Sequence, residues 1–505
     1  MVSEPVPPTV LLRQKSETTN RDAGSRAVPD AVWLSLILLL ALVLRVFSLN
    51  GPLWFDEVVT VETHLNHSWG DMLTSYSMNH HYLHNLAAKA SMTLFGSEPW
   101  AIRLPAMLFG LAGIAAMWWL ARDLAGSVPA HATALLMALS YHHIWFSQNA
   151  RGYTGLALFS TLGVLLFLRG LKSQRRSDWL WFGTVMAATI FTHLTGAFLF
   201  VVLGLLWLYL IGARWLDGTL TRALIVLPFL GFAVGSILTV ALYAPILPSL
   251  LSTVSSVAET SAGDPMQEYQ NPLWTAYEAI RTGVGQAGPL VTVVGMAVLG
   301  LSLLGAVALR KRAPLFAWIT FGHIVLTIGL LLAVGMRIWP RFFFTDIAFL
   351  LLLIVMGVAL VCDLLARLTG PSLGRFLFPV ALMGMVAISA AMASRNYMAP
   401  KQDLAGAVAL VEGTRAPGER VYAITYSGEL FTGHFKTNWA TIWTEADYQS
   451  ALATPGPLTI VVTFPDRNFR SLPEMEADVS KGTLTETHFL PGTLGDGGIA
   501  ILHRN

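Results

Sequence analysis

The chain has 505 residues, of which 54% are hydrophobic and only 12% are charged. This balance, with a mean hydropathy of +0.59, excludes an ordinary soluble globular protein and indicates an integral membrane protein. The net charge of +2 gives no reason to expect a nucleic-acid partner, and the single cysteine, Cys362, excludes an intramolecular disulfide.

The first 30 residues are polar and contain Pro, Ser and Arg. No small-residue cleavage site closely follows the next apolar run, so the pattern favours a disordered cytoplasmic tail over a signal peptide.

Apolar runs long enough to cross a bilayer as helices recur along the chain and predict about eleven crossings. The segment 80–95 is also helix-like, but it is short and contains His81, His84 and Lys89, so we expect a juxtamembrane or partly inserted helix. The predicted spans are 31–48, 101–121, 128–147, 153–170, 178–193, 195–211, 223–244, 288–309, 314–335, 341–362 and 374–394.

Basic residues cluster in alternate loops, as the positive-inside rule requires if the N-terminus is cytoplasmic. The sequence therefore predicts a transmembrane domain over 31–394, with a first outer loop at 49–100 and a second large outer loop at 245–287. The inner clusters are Arg122; Lys172, Arg175 and Arg176; Arg214 and Arg222; Arg310, Lys311 and Arg312; and Arg367 and Arg375.

The segment 395–505 changes character and is expected outside the membrane. Three strand-like runs, RVYAITY, LTIVVTF and GIAILH, accompany an amphipathic stretch from Asp403 to Glu412, with Asp403 as a helix cap. This pattern predicts a small extracytoplasmic α/β domain, and it contains no recognisable catalytic motif of its own.

A pair of adjacent acids, Asp56 and Glu57, follows the first predicted span in the sequence WFDE. A carboxylate on the water side of a bilayer can accept a proton from a hydroxyl while the neighbouring helices hold a lipid-linked substrate. The alternative is structural, with Asp56 capping an interfacial helix and Glu57 facing water.

Several basic residues lie on the outer side, against the topological preference. A phosphate at the membrane surface would compensate their charge, whereas the alternative is that each side chain reaches the lipid headgroups. These residues are Arg45, Lys89, Arg103, Arg151, Arg281, Arg337 and Arg341.

Five segments, in order, resemble landmarks of the GT-C superfamily of multispanning glycosyltransferases that use polyprenyl-phosphate sugars. The resemblance covers residues 40–345 and is nearest to the branch with protein O-mannosyltransferases and aminoarabinose transferases. It implies a GT-C-like fold, Asp56 as the catalytic residue, and Arg151 and Arg341 as anion-binding residues. The segments are LRVFSLNGPLWFDE, NHHYLHNLAAKASMTLFGSEPWAIRLPAMLFG, SYHHIWFSQNARGYTGLALFS, FTHLTGAF and WPRFFF.

One segment departs from the family pattern. Many relatives have His-Pro-Pro-Leu before the juxtamembrane helix, whereas this chain has NHHYLHN at 79–85. His80 and His84 have metal-ligand spacing on a helix, but no third ligand is spaced to join them, so substrate contact is favoured over a metal.

The predicted function is transfer of a sugar from a polyprenyl-phosphate donor to an acceptor hydroxyl on the extracytoplasmic face of the inner (plasma) membrane. Asp56 acts as general base with inversion, while positive charge stabilises the departing phosphate. No cofactor is expected, and the acceptor is a glycan, a lipid or a protein. The predicted substrate-binding residues are Glu57, His80, His81, Arg103, Arg151, Tyr153, His193, Arg337 and Arg341.

Three alternatives stay open at this point. A lipid-linked sugar flippase would also have many spans, although no internal repeat typical of transporters is visible. A noncatalytic assembly protein could share the fold without the activity. A metal-dependent oligosaccharide transferase of the same superfamily would need another outer-loop acid, such as Asp264 or Glu268.

Overall fold

A computed structural model describes residues 29–259, 267–285 and 288–504. Nearly all of the predicted tail 1–30, together with Asp264, lies outside the described residues. The helices are α1 (Asp30–Val46), α2 (Phe55–Thr60), α3 (Trp69–Thr74), α4 (Tyr82–Phe95), α5 (Pro99–Ala125), α6 (Ser127–Ala138), α7 (Tyr141–Ser147), α8 (Tyr153–Ser173), α9 (Arg176–Thr192), α10 (Gly196–Leu216), α11 (Arg222–Tyr243), α12 (Leu247–Glu259), α13 (Pro272–Val284), α14 (Pro289–Leu309), α15 (Pro314–Ala333), α16 (Phe344–Thr369), α17 (Pro371–Ser394), α18 (Leu404–Thr414), α19 (Tyr426–Gly433), α20 (Glu445–Ala453), α21 (Pro465–Ser471) and α22 (Pro473–Lys481).

A π-helical turn covers Val61–Leu65, and 3₁₀ turns cover Gln267–Gln270, Pro340–Phe343 and Arg395–Tyr397. The strands are β1 (Arg420–Ile424), β2 (Ala440–Ile442), β3 (Leu458–Thr463), β4 (Thr485–Leu490) and β5 (Ile499–Arg504).

Within the described ranges, eight helices are long and apolar enough to cross a membrane, so the chain is a multi-pass membrane protein. They are α5, α8, α10, α11, α14, α15, α16 and α17. The remaining three predicted spans coincide with α1 and α9, which have 17 residues each, and with the short helices α6 and α7. The predicted number of eleven is therefore not confirmed.

Two glycines let α14 and α16 pack at close range. A Cβ atom on Gly305 would lie 1.9 Å from the carbonyl oxygen of Leu353, and one on Gly357 would lie 2.1 Å from that of Leu301. Small residues at such contacts are how helices associate in lipid, where burial of apolar surface gives little driving force. The contact fixes α16, whose first turn follows the segment that carries Arg341.

The C-terminal domain contains a five-stranded sheet in the order β2-β1-β3-β5-β4. Strands β2, β1 and β3 are parallel, whereas β5 runs antiparallel to β3 and β4. The predicted strand-like runs coincide with β1, β3 and β5, and the side chain of Asp403 accepts the Gly406 amide at the start of α18, 2.9 Å away, as predicted. Strands β2 and β4 were not predicted.

The first outer loop is fixed to the bundle by one buried ion pair, Glu57 with Arg103. Both side chains are buried, and Nη2 of Arg103 lies 2.5 Å from Oε2 of Glu57 while its Nε lies 2.7 Å from Oε1. The same guanidinium donates to the carbonyl groups of Leu49, Gly51 and Pro52 at 2.7–2.9 Å. One side chain of α5 therefore holds the backbone on which the WFDE sequence begins.

The Glu57 carboxylate also joins this loop to the α7–α8 connection. It accepts the backbone amide of Ala150 at 2.7 Å, and Nε1 of Trp54 donates to Oδ1 of Asn149 at 3.0 Å. Burial alone would raise the pKa of Glu57, but the charge and hydrogen bonds of Arg103 outweigh it, so the pKa lies below its ordinary value. Glu57 is thus an ionised anchor, and the interpretation in which it faces water does not hold.

We expect Glu57→Gln to destabilise the protein by about 3–5 kcal/mol, because the variant leaves the Arg103 guanidinium buried without a counterion. The measurement is the thermal unfolding midpoint of the purified protein in detergent. Glu62→Gln is the matched control, since Glu62 lies in the same loop in a more exposed pair with His434 and should change stability by less than about 1 kcal/mol. Equal midpoints for Glu57→Gln and the wild type would contradict the anchoring role.

Candidate active site

Asp56 lies in the first turn of α2 with its side chain 21% exposed. Its Oδ2 atom is 3.6 Å from Nη2 of Arg151 and 3.9 Å from Nη1 of Arg341. Trp54, not Asp56, occupies the N-cap position of α2, so the capping alternative does not describe this carboxylate. Three residues predicted from separate segments therefore converge on one point.

Arg151 is the buried cation of this cluster, with 3% of its side chain exposed. It lies in the connection between α7 and α8, donates to Oδ1 of Asn79, and places its guanidinium carbon 5.8 Å from the ring centre of Tyr153. Burial lowers the pKa of Arg151, but the nearby Asp56 and Tyr153 more than offset this effect, and the pKa lies above its ordinary value. The group is a permanent positive charge.

Gly152 allows the chain to turn in this crowded place. A Cβ atom there would lie 2.9 Å from the Cβ and Nδ1 atoms of His81 and 3.1 Å from Cγ2 of Thr192. Because glycine has no side chain, the segment that carries Arg151 and Tyr153 can pass this close to His81 and Thr192.

Arg341 is the more accessible cation. It lies in the 3₁₀ turn Pro340–Phe343, its side chain is 32% exposed, and its guanidinium carbon stacks 4.5 Å from the ring centre of Trp339. Arg337 lies 6.0 Å from the same ring. Among the described residues, the Nε atom of Arg341 has no hydrogen-bond partner although it is buried.

Around Asp56, the two guanidinium groups carry one more positive charge than the carboxylate neutralises. Such an excess is costly in a partly buried place unless an anion balances it. Arginine is suited to bind phosphate because its planar fork can donate two hydrogen bonds to one anion. The geometry therefore fits a phosphate beside a carboxylate.

His81 faces this cluster with both ring nitrogens unpartnered among the described residues, although its side chain is only 1% exposed. Its ring centre is 4.9 Å from that of Tyr153 and 4.7 Å from that of His193. Burial, reinforced by the charge of Arg151, holds the pKa of His81 well below its ordinary value. A neutral imidazole with free nitrogens can give and accept hydrogen bonds to a substrate.

His193 follows α9 and is held by Thr195, whose hydroxyl oxygen lies 2.7 Å from Nδ1. Burial and the charges of Arg151 and Arg341 lower the pKa of His193 to about 3. The ring is therefore neutral near pH 7 and adds no charge to the site.

His80 is occupied by protein contacts. Its Nε2 atom lies 3.1 Å from the Met72 carbonyl oxygen, and its Nδ1 atom lies 3.3 Å from Nδ2 of Asn85. Within the part of the chain that the structure describes, no group of three His, Cys, Asp or Glu side chains could hold a metal ion. Glu268 is paired with Arg470 at 2.9 Å.

Apart from His80 and Arg337, the predicted residues thus divide into two groups. Asp56, Arg151 and Arg341 meet directly, with Tyr153, His81 and His193 around them, whereas Glu57 and Arg103 are bonded to each other beneath the loop. Substrate contact by these residues stays a prediction. Sequence reasoning gave no role to Asn79, which accepts from Arg151, or to Trp339 beneath Arg341.

A family model described as dolichyl-phosphate-mannose-protein mannosyltransferase matches residues 79–244. The matched range contains Asn79, His81, Arg151, Tyr153 and His193 of the site. No curated protein sequence matches the chain.

Solved structures share the fold at low identity. ArnT from Cupriavidus metallidurans in the apo state has a TM-score of 0.50 at 15% identity, covering 94% of this chain and 98% of that one. The apo oligosaccharyltransferase of Archaeoglobus fulgidus has a TM-score of 0.53 at 11% identity, covering 88% and 71%. AglB from the same organism, in complex with an inhibitory peptide and a dolichol-phosphate, has a TM-score of 0.53 at 10% identity, covering 94% and 74%.

These likenesses confirm the fold that the sequence motifs predicted. The chain thus has a GT-C-like fold that it shares over most of its length with these solved membrane proteins, and the match to the mannosyltransferase family model is confined to residues 79–244.

Proposed function

We propose that the protein transfers a sugar from a polyprenyl-phosphate donor to an acceptor hydroxyl, with inversion at the anomeric carbon. The observation that carries this proposal is the placement of Asp56 between the guanidinium groups of Arg151 and Arg341. The reaction needs a base beside positive charge that can hold a phosphate, and Asp56 with the two guanidinium groups can supply both.

The chemistry requires little acid assistance, because a phosphate is already a good leaving group. Arg151 and Arg341 stabilise the negative charge that grows on the phosphate oxygen as the bond to the anomeric carbon breaks. Asp56 accepts the proton of the acceptor hydroxyl as its oxygen attacks the opposite face of that carbon. His81 and Tyr153 line the same place and orient the substrates.

The comparisons support the donor class. The family matched by residues 79–244 is named for dolichyl-phosphate-mannose, and one structural relative was solved with a dolichol-phosphate. The acceptor is a glycan, a lipid or a protein. Mass spectrometry of lipid-linked sugars and envelope glycans, with and without the protein, is the experiment that identifies both sugar and acceptor.

The proposed location of the site is the extracytoplasmic face of the inner (plasma) membrane. The basic clusters 172–176, 310–312 and 367–375 lie at the ends of α8, α14 and α16, whereas Arg151 and Arg341 precede the first turns of α8 and α16. A helix that crosses the bilayer separates these ends, and the positive-inside rule assigns the basic ends to the cytoplasm.

We propose that no metal takes part. The positive charge that a metal would bring to the leaving group is supplied here by guanidinium groups, and Glu268 is engaged by Arg470. The metal-dependent alternative would rest on Asp264, which lies outside the described residues.

Asp56→Asn keeps the shape of the side chain and removes the proton acceptor. Transfer should fall by a factor on the order of 100 or more while the donor still binds. The assay measures glycosidic product formed by purified protein in detergent, where no membrane separates two compartments and a flippase yields no product. Asp71→Asn, an exposed acid in the same outer loop, is the control and should retain wild-type turnover.

Wild-type turnover in Asp56→Asn would remove the base from this residue. Transport of the lipid across vesicles, with no product from a broad donor panel, would favour the flippase instead.

Arg341→Ala and Arg151→Ala should each weaken binding of a polyprenyl phosphate by about tenfold or more, since each loses a charged hydrogen-bond donor. Lysine at either position should restore binding only in part, because it lacks the guanidinium fork. Arg175→Ala, at the opposite end of α8, is the matched control. Arg341 gives the cleaner result, because the buried Arg151 also holds Asn79. Unchanged affinity in both variants would contradict the phosphate site.

The proposed orientation is tested by cysteine labelling in intact cells with Cys362, which is buried, replaced by Ala. A reagent that does not cross the membrane should modify Ser450→Cys, on the C-terminal domain, and spare Ser173→Cys, after α8. Both positions are exposed. Modification of Ser173→Cys alone would show that the protein has the opposite orientation in the membrane.

A further inference from the structure

The C-terminal domain packs directly on the loop that carries Asp56. Val58 of α2 belongs to the same buried apolar cluster as Val421 and Phe431 of this domain. The ring of Phe55, the neighbour of Asp56, lies 5.4 Å from that of Phe464. The domain therefore forms one wall of the candidate site.

The part of the domain that makes this wall is the carboxyl end of a parallel strand. Strand β3 ends at Thr463, Phe464 has a left-handed backbone with φ of 49°, and α21 begins at Pro465. A left-handed conformation is strained for a phenylalanine, and such strain concentrates where a side chain must be aimed. In open α/β sheets, ligands bind outside the carboxyl ends of the strands.

Arg467, in the first turn of α21, projects a cation from this edge. Its guanidinium carbon lies 4.8 Å from the ring centre of Phe464, which itself contacts Phe55. Over the described ranges, the Arg467 guanidinium takes part in no hydrogen bond and in no ion pair within 4 Å. The nearby Asp496 carboxylate instead accepts the backbone amides of Asp466 and Arg467, each at 3.2 Å.

A second set of contacts connects the same region with Arg341. The ring of Tyr269 lies 4.4 Å from that of Trp339, on which Arg341 stacks at 4.5 Å. Burial lowers the pKa of Arg467, the nearby Asp496, Tyr269 and Asp56 side chains oppose this effect, and the charge of Arg341 adds to it. The contacts from Arg467 through Phe464 to Phe55 place this cation next to the residue that precedes Asp56.

We propose that Arg467 is a third phosphate-binding residue, supplied by the C-terminal domain to the donor site formed by Arg151 and Arg341. This inference rests on the proposed function. Through Arg467, the C-terminal domain would recognise one part of the substrate, the phosphate of the lipid carrier.

The negative charge on the phosphate increases during transfer, and a third arginine would help to stabilise it. The donor is a phosphodiester with one negative charge, and breaking its bond to the anomeric carbon leaves the electron pair on a phosphate oxygen. The acceptor oxygen forms the new bond and its proton passes to Asp56, so the departing lipid monophosphate carries about −1.5 to −2 at pH 7. The positive charge of three guanidinium groups interacts more strongly with the departing monophosphate than with the singly charged donor. This difference stabilises the leaving group.

The test measures binding of undecaprenyl phosphate to the purified full-length protein in detergent, with undecaprenol as the uncharged comparison. Arg467→Gln should weaken phosphate binding by about tenfold or more and leave undecaprenol binding unchanged, while Arg467→Lys should recover part of the loss. Arg470→Gln is the matched control, one turn along the same helix in an exposed pair with Glu268, and should bind like the wild type.

Three results would overturn the inference. Wild-type affinity in Arg467→Gln, with weakened binding in Arg341→Gln, would exclude Arg467 from the phosphate site and leave the proposed function intact. The same conclusion would follow if Arg467→Gln raised only the KM for the acceptor. Equal losses in Arg467→Gln and Arg470→Gln, for both lipids, would assign Arg467 to domain docking. A wild-type protein that binds undecaprenol as tightly as undecaprenyl phosphate would remove the proposed function itself.

Discussion

The architecture of the site depends on the buried pair between Glu57 and Arg103. Two adjacent carboxylates would repel each other if they shared one environment. Here Arg103 neutralises Glu57 beneath the loop, while the preceding residue, Asp56, is partly exposed and lies near Arg151 and Arg341. One acid fixes the backbone and the other remains available for chemistry, a division of labour that needs only the short helix α2.

The bilayer imposes the second constraint. Helices in lipid gain little by burying apolar surface against each other, so close contacts such as Gly305 with Leu353 must define their positions. The polar site is therefore assembled at helix ends and in the loops between them, where water can reach. Asp56 and Arg151 lie outside the membrane-spanning helices, and Arg341 lies in the first turn of the candidate span Pro340–Thr369.

Much of the fold could be predicted from the sequence, because helices that cross a bilayer require long apolar runs that are easy to recognise. The spans containing α8, α14 and α16 are long apolar runs, and strands β1, β3 and β5 are rich in apolar and β-branched residues. Strand β2 has only three residues and is exposed at its first position, so no periodicity announces it.

The site was partly predictable for a different reason. Asp56, Arg151 and Arg341 lie in recognisable sequence motifs. The burial of Glu57 depends on Arg103 of α5, which only the tertiary structure brings near. Arg467 is an ordinary charged residue in a short helix of a domain with no catalytic motif. Its interest lies in its position, which depends on the tertiary contact between Phe464 and Phe55. No local sequence pattern predicts that contact.

The packing of the C-terminal domain on α2 also has a consequence for biogenesis. The ribosome delivers the WFDE loop early and strand β5 last among the strands, yet β5 pairs with β3, whose carboxyl end reaches the loop through Phe464. The inserted helices can therefore form long before the pocket has its last wall. A nascent chain therefore lacks this wall of the candidate site until the C-terminal domain has been synthesised.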